Sequence, residues 1–454
     1  MVVAFAYALA LVTVYLLLTR FQYGLYSLAV LIPFIEMLPA SPVPGINSVT
    51  VLVGLGLVLA LTRERVFVPR ALSLGPPIIA LLVITLVSWA GVVVFGRVPG
   101  YDVLENLFTI KRWFTFILLY FIFLRIREPE SVWGCLGAIW LGVALEALVA
   151  FYQYKTAFTG RLRGTIGGNQ NDFGAFLALY MIVGIVLFLQ ERGKGRKIAI
   201  GAGLFLAGFG LVYSLSRGAY LTFVAAMVVF LYFRARRAAF VIGAVVGILV
   251  LVGVNLQALF PKAAVERVEA TYEGRDMVYV PQLGMEIELS AASRIFYAQA
   301  ALGMIKKSPI WGVGFGTFVH RVQRYLDPSI YSKRNVAHNM FLQITSEMGL
   351  LGLAAFLWII VRAMRVGRWL YRYADRDTAA RTLGVGLIAI TVGLMVTNLF
   401  GNRFFNGMIV GYYFIIVALA TRILMTRQED VTAKDLEPQG GIDTWSRKPS
   451  TLPA

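Results

Sequence analysis

Four short segments place arginine or histidine beside residues that form turns, and each could bind an anion or move a proton. The first is the turn from Arg161 to Asp172, where glycines and amide side chains would expose backbone N–H groups beside Arg161 and Arg163. Guanidinium groups and exposed backbone amides bind anions together, and Asn171 adds a side-chain amide. An ordinary loop that caps the following helix explains the same residues equally well.

The second and third segments contain single arginines. Ser214–Gly218 predicts a hairpin between two apolar helices, with Arg217 in the first turn of the second helix. Free N–H groups and the helix dipole favour an anion there, and a cation is disfavoured unless an anion binds beside it. Arg217 is therefore a candidate ligand. Arg294 opens a stretch of helical periodicity, 293–307, and by itself is also typical of a solvated amphipathic face.

The fourth segment, Asn335–Asn339, lies where a long polar stretch meets an apolar run. The imidazole of His338 has an ordinary pKa that suits it to accept a proton near neutral pH. A lone histidine is more often structural, and His320, the only other histidine, lies away from any motif. Glu347 lies deeper in the following helix and could pair with an arginine inside the bundle.

Cysteine and histidine are scarce in this chain. One cysteine excludes a disulfide framework and a thiolate metal cluster, and two histidines exclude a site of several histidine ligands. We predict no metal site of these kinds and no cofactor.

The elements that must position these residues are membrane helices. The 454 residues are 59% hydrophobic and 15% charged, and a soluble protein of this length needs more polar surface. The composition therefore excludes a cytosolic enzyme. Apolar runs of about 20 residues predict an all-α polytopic membrane protein. The 12–13 predicted transmembrane helices lie near 2–19, 22–38, 47–62, 76–95, 113–124, 132–154, 172–190, 198–215, 218–233, 239–256, 338–361, 383–400 and 404–421.

Basic residues in the short loops predict the orientation. Loops such as 192–197 and 362–381 are rich in Lys and Arg, which places them in the cytoplasm. The same parity puts the four segments above and the long polar loop 257–337 outside. The transmembrane catalytic domain is predicted to span 1–426, and the polar tail 427–454 is predicted to be disordered and cytoplasmic. The net charge of +18 favours anionic lipid and an anionic substrate over nucleic acid.

Glycines and aromatic residues alternate after the helical stretch of the long loop. Gly312, Gly314 and Gly316 stand among Trp311, Phe315 and Phe318, which predicts a tight aromatic turn on the membrane surface.

Several of these segments resemble, in their order, the O-antigen ligase and polymerase family. They are Ser216-Arg217-Gly218-Ala219, Ser293-Arg294 with the later Pro309–Gly314, and His338-Asn339 with the later Glu347–Gly352. The turn with Arg163, Gly164 and Asn171 resembles the family's preceding motif. The similarity covers roughly residues 160–360, with the long loop between the same two spans, and the N-terminal third shows no matching motif.

The resemblance implies a metal-independent membrane glycosyltransferase in the bacterial inner membrane, with its active site facing the periplasm. It implies a polyprenyl-diphosphate-linked glycan donor and a glycan or lipid A-core acceptor, in contact with membrane lipids. Arg217 and Arg294 would contact the diphosphate, and His338 would act on the acceptor. Arg161, Arg163 and Asn171 are further candidates for diphosphate binding.

The residue types suit that chemistry. Arginines can stabilise the charge that grows on a departing diphosphate, so neither a metal nor a strong acid is required. A neutral His338 could accept the proton of the attacking sugar hydroxyl. A single displacement would invert the anomeric carbon.

Two other functions remain open from the sequence. A lipid-linked glycan flippase would place its charges near the bilayer midplane on interrupted helices and show internal repeats. A peptidoglycan polymerase of the shape, elongation and division type would use an acidic residue of the outer loop, for which Asp276 and Asp327 are available. The choice between ligase and polymerase, and with it the acceptor, also stays open.

Overall fold

The architecture is taken from a computed structural model. It describes residues 2–38, 47–63, 68–69, 72–96, 98–126, 128–157, 161–166, 169–235, 277–281, 283–326, 335–374 and 378–436. The predicted span 239–256, the beginning of the predicted long loop and the tail beyond 436 lie outside the described residues. Asp276, Asp327, Gly167 and Gly168 lie outside them as well.

The described part is an all-α polytopic membrane protein with one small hairpin. Its N-terminal helices are α1 (Val2–Thr19), α2 (Phe21–Leu31), α3 (Ser48–Leu61), α4 (Gly75–Phe95), α5 (Val103–Ile117), α6 (Leu119–Phe123) and α7 (Pro129–Ala157). The central helices are α8 (Gln170–Gln190), α9 (Lys194–Tyr213) and α10 (Arg217–Arg234). After the outer hairpin follow α11 (Leu289–Lys307), α12 (Phe318–Arg321), α13 (Met340–Tyr373), α14 (Ala379–Leu399) and α15 (Gly407–Leu436).

The predicted spans agree with these helices. Among the described residues, ten helical segments are long and apolar enough to cross a membrane. Two shorter apolar helices, Phe21–Met37 and Ser48–Leu61, coincide with two further predicted spans. The short apolar run at 113–124 belongs to a longer span, Val103–Phe123. These observations confirm the predicted fold class.

Helix α15 forms the centre of the bundle. Every residue from Met408 to Met425 is buried, as expected for a helix that is apolar on all sides. Around it, α13 and α14 pack closely through two glycines. A Cβ on Gly384 would lie 2.7 Å from the carbonyl oxygen of Gly367, so only small residues allow the two backbones to approach this closely.

A second, smaller core lies beyond the helix ends. Strands β1 (Met277–Val280) and β2 (Met285–Glu288) form an antiparallel hairpin that leads directly into α11. The predicted helical stretch 293–307 is confirmed, whereas the sequence did not predict the hairpin. Phe296, Tyr297 and Met304 of α11 pack against Phe318 of α12 and fix this layer on the bundle.

A break in α13 receives part of the outer layer. Gly349 has φ +68° and ψ −169°, which interrupts the helix and leaves the preceding carbonyl groups without helical partners. The segment after α11 enters the gap: Val313 N donates to Ser346 O (2.8 Å) and Gly314 N to Glu347 O (3.0 Å). In return, Leu350 N donates to Pro309 O (2.8 Å). The two glycine-containing motifs therefore interlock through their main chains.

This arrangement corrects two predictions. Of the three aromatic residues of the turn, Phe315 and Phe318 are buried within the protein and only Trp311 is exposed, so the turn does not rest on the membrane surface as a whole. Among the described residues, Glu347 forms no ion pair with an arginine, and its Oε1 accepts a hydrogen bond from Phe318 N (3.0 Å). The carboxylate therefore holds the outer layer in place.

The last helix continues beyond the predicted domain boundary at 426. Helix α15 extends to Leu436, and the rest of the predicted tail lies outside the described residues. The boundary and the disorder of the tail remain predictions.

Candidate active site

Two of the predicted segments lie side by side at one end of the bundle. Leu162 N donates to Tyr213 O (2.9 Å), which joins the turn before α8 to the end of α9. Arg161 Nε donates to Ser214 O (3.1 Å) in the α9–α10 hairpin. The turn itself is held from below by Glu146 of α7, which accepts hydrogen bonds from the hydroxyl and the main-chain N–H of Thr165.

A cavity of about 560 Å³ opens at this end of the bundle. Four arginines contribute to its wall although they come from four different places in the chain. The cavity is lined by Arg161, Asn171, Leu215, Ser216, Arg217, Gly218, Ala219, Leu221, Ser290, Arg294, Thr397, Phe400 and Arg403. Of the predicted diphosphate-binding residues, Arg161, Asn171, Arg217 and Arg294 therefore share one cavity. Arg163 is exposed and does not line it.

Arg217 begins α10, as predicted. Ser216 caps the helix by accepting a hydrogen bond from Ala219 N (3.4 Å), which leaves the positive end of the helix dipole facing the cavity. Arg217 Nη2 forms an ion pair with Glu288 Oε2 at 2.7 Å. Glu288 ends β2 directly before α11, so this pair ties the arginine to the helix that carries Arg294.

Arg161 and Asn171 have a positioning role in this geometry. Arg161 Nη2 donates to Asn171 Oδ1 (3.3 Å) and to Leu215 O (3.2 Å). Leu215 has φ +50°, a left-handed conformation that costs free energy for a residue with a side chain. The hydrogen bonds of Arg161 therefore stabilise the strained backbone of Leu215, and this backbone sets the position of Arg217. Asn169 caps α8 by accepting from Asp172 N, as the loop interpretation predicted.

His338 lies against the helix that carries Arg294 and is not among the lining residues of the cavity. Its ring centroid is 5.8 Å from that of Tyr297, which stands one turn after Arg294 on α11. Burial lowers the pKa of His338, and the positive charge of Arg294 lowers that pKa further. The imidazole is therefore neutral at neutral pH and able to accept a proton. Like Leu215, His338 has φ +50°.

Arg403 is a cavity residue that the sequence did not reveal. It lies in the turn between α14 and α15 and forms an ion pair with Asp172 at the start of α8. Asn406 also donates to Asp172, through Nδ2 at 3.2 Å. Arg403 Nε is buried and has no hydrogen-bond partner among the described residues, and burial lowers the pKa of this guanidinium to about 10. It still carries its charge at neutral pH.

The site is suited to a multiply charged anion. Glu288 and Asp172 each pair with one cavity arginine, so the four guanidinium groups keep an excess of positive charge. Guanidinium groups bind phosphate oxygens through paired, charge-assisted hydrogen bonds. A neutral imidazole stands beside one of the arginines. This combination can hold a phosphate-bearing leaving group and activate a hydroxyl.

The fold and the site together define a multi-pass membrane protein with a basic cavity and an adjacent histidine at one end of its helix bundle. Residues 202–357 match the family model described as O-antigen ligase. The match confirms the resemblance to the O-antigen ligase and polymerase family over residues 202–357, and the family suggests O-antigen ligase or polymerase activity in general. Arg217, Arg294 and His338 lie within the matched range. Among curated proteins, no similar sequence was found.

Proposed function

We propose that the protein transfers a glycan from a polyprenyl-diphosphate carrier to an acceptor hydroxyl on the periplasmic side of the bacterial inner membrane. One observation carries the proposal: Arg217 and Arg294, from segments far apart in the chain, line one cavity, and Arg294 is close enough to His338 for its charge to lower the pKa of that imidazole. Neither a flippase nor a peptidoglycan polymerase requires two arginines and a histidine to lie close together.

The donor's diphosphate would occupy the basic cavity. Arg217 and Arg294 contact its oxygens, and the N-terminus of α10 adds free N–H groups. Arg403, from the turn between α14 and α15, provides a third positive charge. These groups bind the ground state and stabilise the charge that develops when the diphosphate departs.

The chemical step is a single displacement. The acceptor hydroxyl oxygen forms a bond to the anomeric carbon as the bond from that carbon to the diphosphate oxygen breaks. The electron pair of the broken bond leaves with the diphosphate, and the hydroxyl proton passes to the imidazole of His338. Attack from the side opposite the leaving group inverts the anomeric configuration. The charge stabilisation comes from arginines, so the reaction is proposed to be metal-independent.

A flippase is the main competing function, and the charge distribution favours the enzyme. The arginines of the cavity come from helix ends and turns at one end of the bundle, whereas a flippase is expected to carry charges near the midplane. The acids that a peptidoglycan polymerase would need, Asp276 and Asp327, lie outside the described residues.

An assay with purified protein tests the proposal. The full chain in lipid nanodiscs receives a polyprenyl-diphosphate glycan and each acceptor class in turn, with EDTA present throughout. We expect transfer with inversion, and Arg217→Ala and Arg294→Ala should lower its rate by about tenfold to a thousandfold. Lys306→Ala, an exposed basic residue on the same helix as Arg294, is the matched control. Normal transfer in both arginine variants, or strict dependence on added metal, would contradict the mechanism.

Replacement of His338 separates the enzyme from the flippase. Asparagine tolerates the left-handed backbone conformation at this position, so His338→Asn removes the base with little effect on the turn. We expect the rate of transfer to fall by about a hundredfold or more while the donor still binds. His320→Asn is the control. If transfer by His338→Asn were unaffected, His338 would not be the base.

A further inference from the structure

A distal cavity, of about 470 Å³, lies at the end of the bundle opposite the basic cavity. Its wall comes from the first turn of α2, the residues after α3 and α6, and Glu128 directly before α7. Arg161 of the basic cavity comes after the last turn of the same α7. Helix α7 has 29 residues and is therefore about 43 Å long, close to the thickness of a bilayer with its headgroups. The two cavities therefore face opposite surfaces of the membrane.

Two guanidinium groups supply the positive charge of the distal cavity. Arg63 follows α3 and Arg125 follows α6, so they reach the cavity from separate helices. The guanidinium of Arg63 lies over the ring of Phe21, 4.3 Å from its centroid. Stacking uses the face of this planar group, and its N–H donors lie in the plane and stay available to an anion. Arginine donors of this kind bind phosphate oxygens through charge-assisted hydrogen bonds.

A carboxylate belongs to the same wall. Glu128 Oε2 accepts hydrogen bonds from Ser131 Oγ (3.0 Å) and Gln22 Nε2 (3.5 Å), which are both neutral groups. The dipole of α7 favours a negative charge at this position. A ligand of the cavity therefore meets groups of both signs. Inorganic phosphate would face a like charge at Glu128, whereas a phosphate ester that carries an amine complements the arginines and the carboxylate together.

Lipid-facing residues adjoin the distal cavity. Leu61 is exposed and directly precedes the lining residues that follow α3. Tyr23 is exposed and directly follows Gln22, a lining residue of α2. Exposed leucine at the end of a membrane helix contacts lipid, and tyrosine is typical of the level of the headgroups. The distal cavity is therefore within reach of a phospholipid headgroup.

We propose that the distal cavity binds the headgroup of a phospholipid that carries an amine, such as phosphatidylethanolamine. The phosphate diester lies at Arg63 and Arg125, the ammonium group lies at Glu128, and the acyl chains remain in the bilayer. Since the cavity wall comes from four helices, the bound lipid connects α2 and α3 to α6 and α7. The inference is independent of the proposed function, because this lipid is neither donor nor acceptor of a glycan.

Lipid binding to delipidated full-length protein tests the proposal. Native mass spectrometry measures the affinity for phosphatidylethanolamine in the wild type and in the double variant Arg63→Gln/Arg125→Gln. We expect the double variant to bind at least about tenfold more weakly, the loss expected for charge-assisted hydrogen bonds. Lys194→Gln, at the exposed start of α9 and the same end of the bundle, is the matched control and should bind as the wild type does. Equal affinities in the wild type and the double variant would overturn the proposal.

A charge-neutral change at Glu128 tests the position of the amine and leaves both arginines in place. The wild type should prefer phosphatidylethanolamine to phosphatidylglycerol, whose headgroup has no amine. In Glu128→Gln this preference should fall by about tenfold. Glu130→Gln, an exposed acid in the first turn of α7, should keep the wild-type preference. A preference that is unchanged in Glu128→Gln, or absent from the wild type, would contradict the proposal.

Soluble phosphates distinguish a lipid site from a site for a free phosphate ester. Inorganic phosphate and glycerophosphoethanolamine, which has the headgroup without acyl chains, are added in turn at the concentration of the lipid. We expect phosphatidylethanolamine to raise the midpoint of thermal unfolding of the wild type, because a ligand of the native state stabilises it. The double variant should lose this rise, and neither soluble compound should produce it. Equal stabilisation by a soluble compound would identify a soluble ligand and overturn the lipid assignment.

Discussion

Arg294 connects the two halves of the candidate active site. Its guanidinium lines the cavity that suits a diphosphate, and its charge also acts on His338. In the proposed reaction the same residue would then help to bind the donor and keep the base neutral. Arg217 differs in this respect, since its ion pair is with Glu288 and its charge is not among the causes that shift the pKa of His338.

The pH dependence of transfer should report this coupling. Burial and Arg294 lower the pKa of His338 below its ordinary value of 6.5. A base is active above its pKa, so activity should be lost as pH falls through a value below 6.5. In Arg294→Gln the pKa should rise, and the acid limb of kcat/KM should move to higher pH. The shift should be partial, because burial is the larger cause.

Rate profiles between about pH 5 and 8 measure this effect. Arg217→Gln is the matched control: its rate should fall while its acid limb stays in place. An acid limb that is the same in Arg294→Gln and in the wild type would show that another group is the base.

Among the elements, the broken helix α13 determines where the histidine stands. The break at Gly349 admits the main chain after α11, and Glu347 then holds Phe318 N. The residues before α13 are held by Gln343 of α13, which accepts hydrogen bonds from Ala337 N (2.8 Å) and from Asn402 Nδ2 (3.3 Å) of the α14–α15 turn. The glycine motifs that resemble the family are therefore structural: they lock the outer layer onto the helix that follows His338.

Substitution of Gly349 tests this role. A Cβ there would lie 2.0 Å from Ile310 O, and the positive φ is itself unfavourable for alanine. We expect Gly349→Ala to lower the free energy of unfolding by at least about 2 kcal/mol. Gly54→Ala in α3 is the control, because its Cβ meets open space and alanine should stabilise the helix by about 0.5–1 kcal/mol. Thermal unfolding in detergent distinguishes them, and equal transitions for both variants would contradict the interlock.

At the scale of the whole molecule, the ion pair of Arg403 with Asp172 connects two distant parts of the chain at the candidate active site. It joins the start of α8 to the α14–α15 turn, two segments that are 231 residues apart in the chain. Both side chains are largely buried, with 15% and 12% of their surfaces exposed. Burying such a pair costs desolvation free energy, so the pair adds little to the stability of the fold. The positive charge that Arg403 brings to the cavity explains the pair better.

A double substitution separates the two roles. Arg403→Gln or Asp172→Asn alone leaves a buried charge without its partner and should cost about 3–5 kcal/mol of stability. The double variant should recover most of that loss, since neither charge remains. Donor binding should stay weak in the double variant, because the cavity still lacks a positive charge. Recovery of both stability and donor affinity would show that Arg403 is structural only.

The predicted orientation can be tested with the native chain as background, since its single cysteine, Cys135, is buried. Leu283 is exposed in the outer hairpin turn, and Gly195 is exposed at the start of α9. A membrane-impermeant maleimide added outside spheroplasts should label Leu283→Cys. It should label Gly195→Cys only after permeabilisation. The reverse pattern would place the basic cavity in the cytoplasm and contradict the periplasmic assignment.

The sequence by itself determined the membrane helices and the candidates Arg217, Arg294 and His338. Long apolar runs, helix caps and the helical stretch of the outer loop are local patterns, and local patterns are enough to define elements of this kind. The hairpin, the break at Gly349 and the partners Glu288 and Arg403 depended on the tertiary structure. The break at Gly349 and the two partners are defined by contacts between segments that are distant in the chain. Whether a buried charge or a glycine meets its partner depends on how the helices pack.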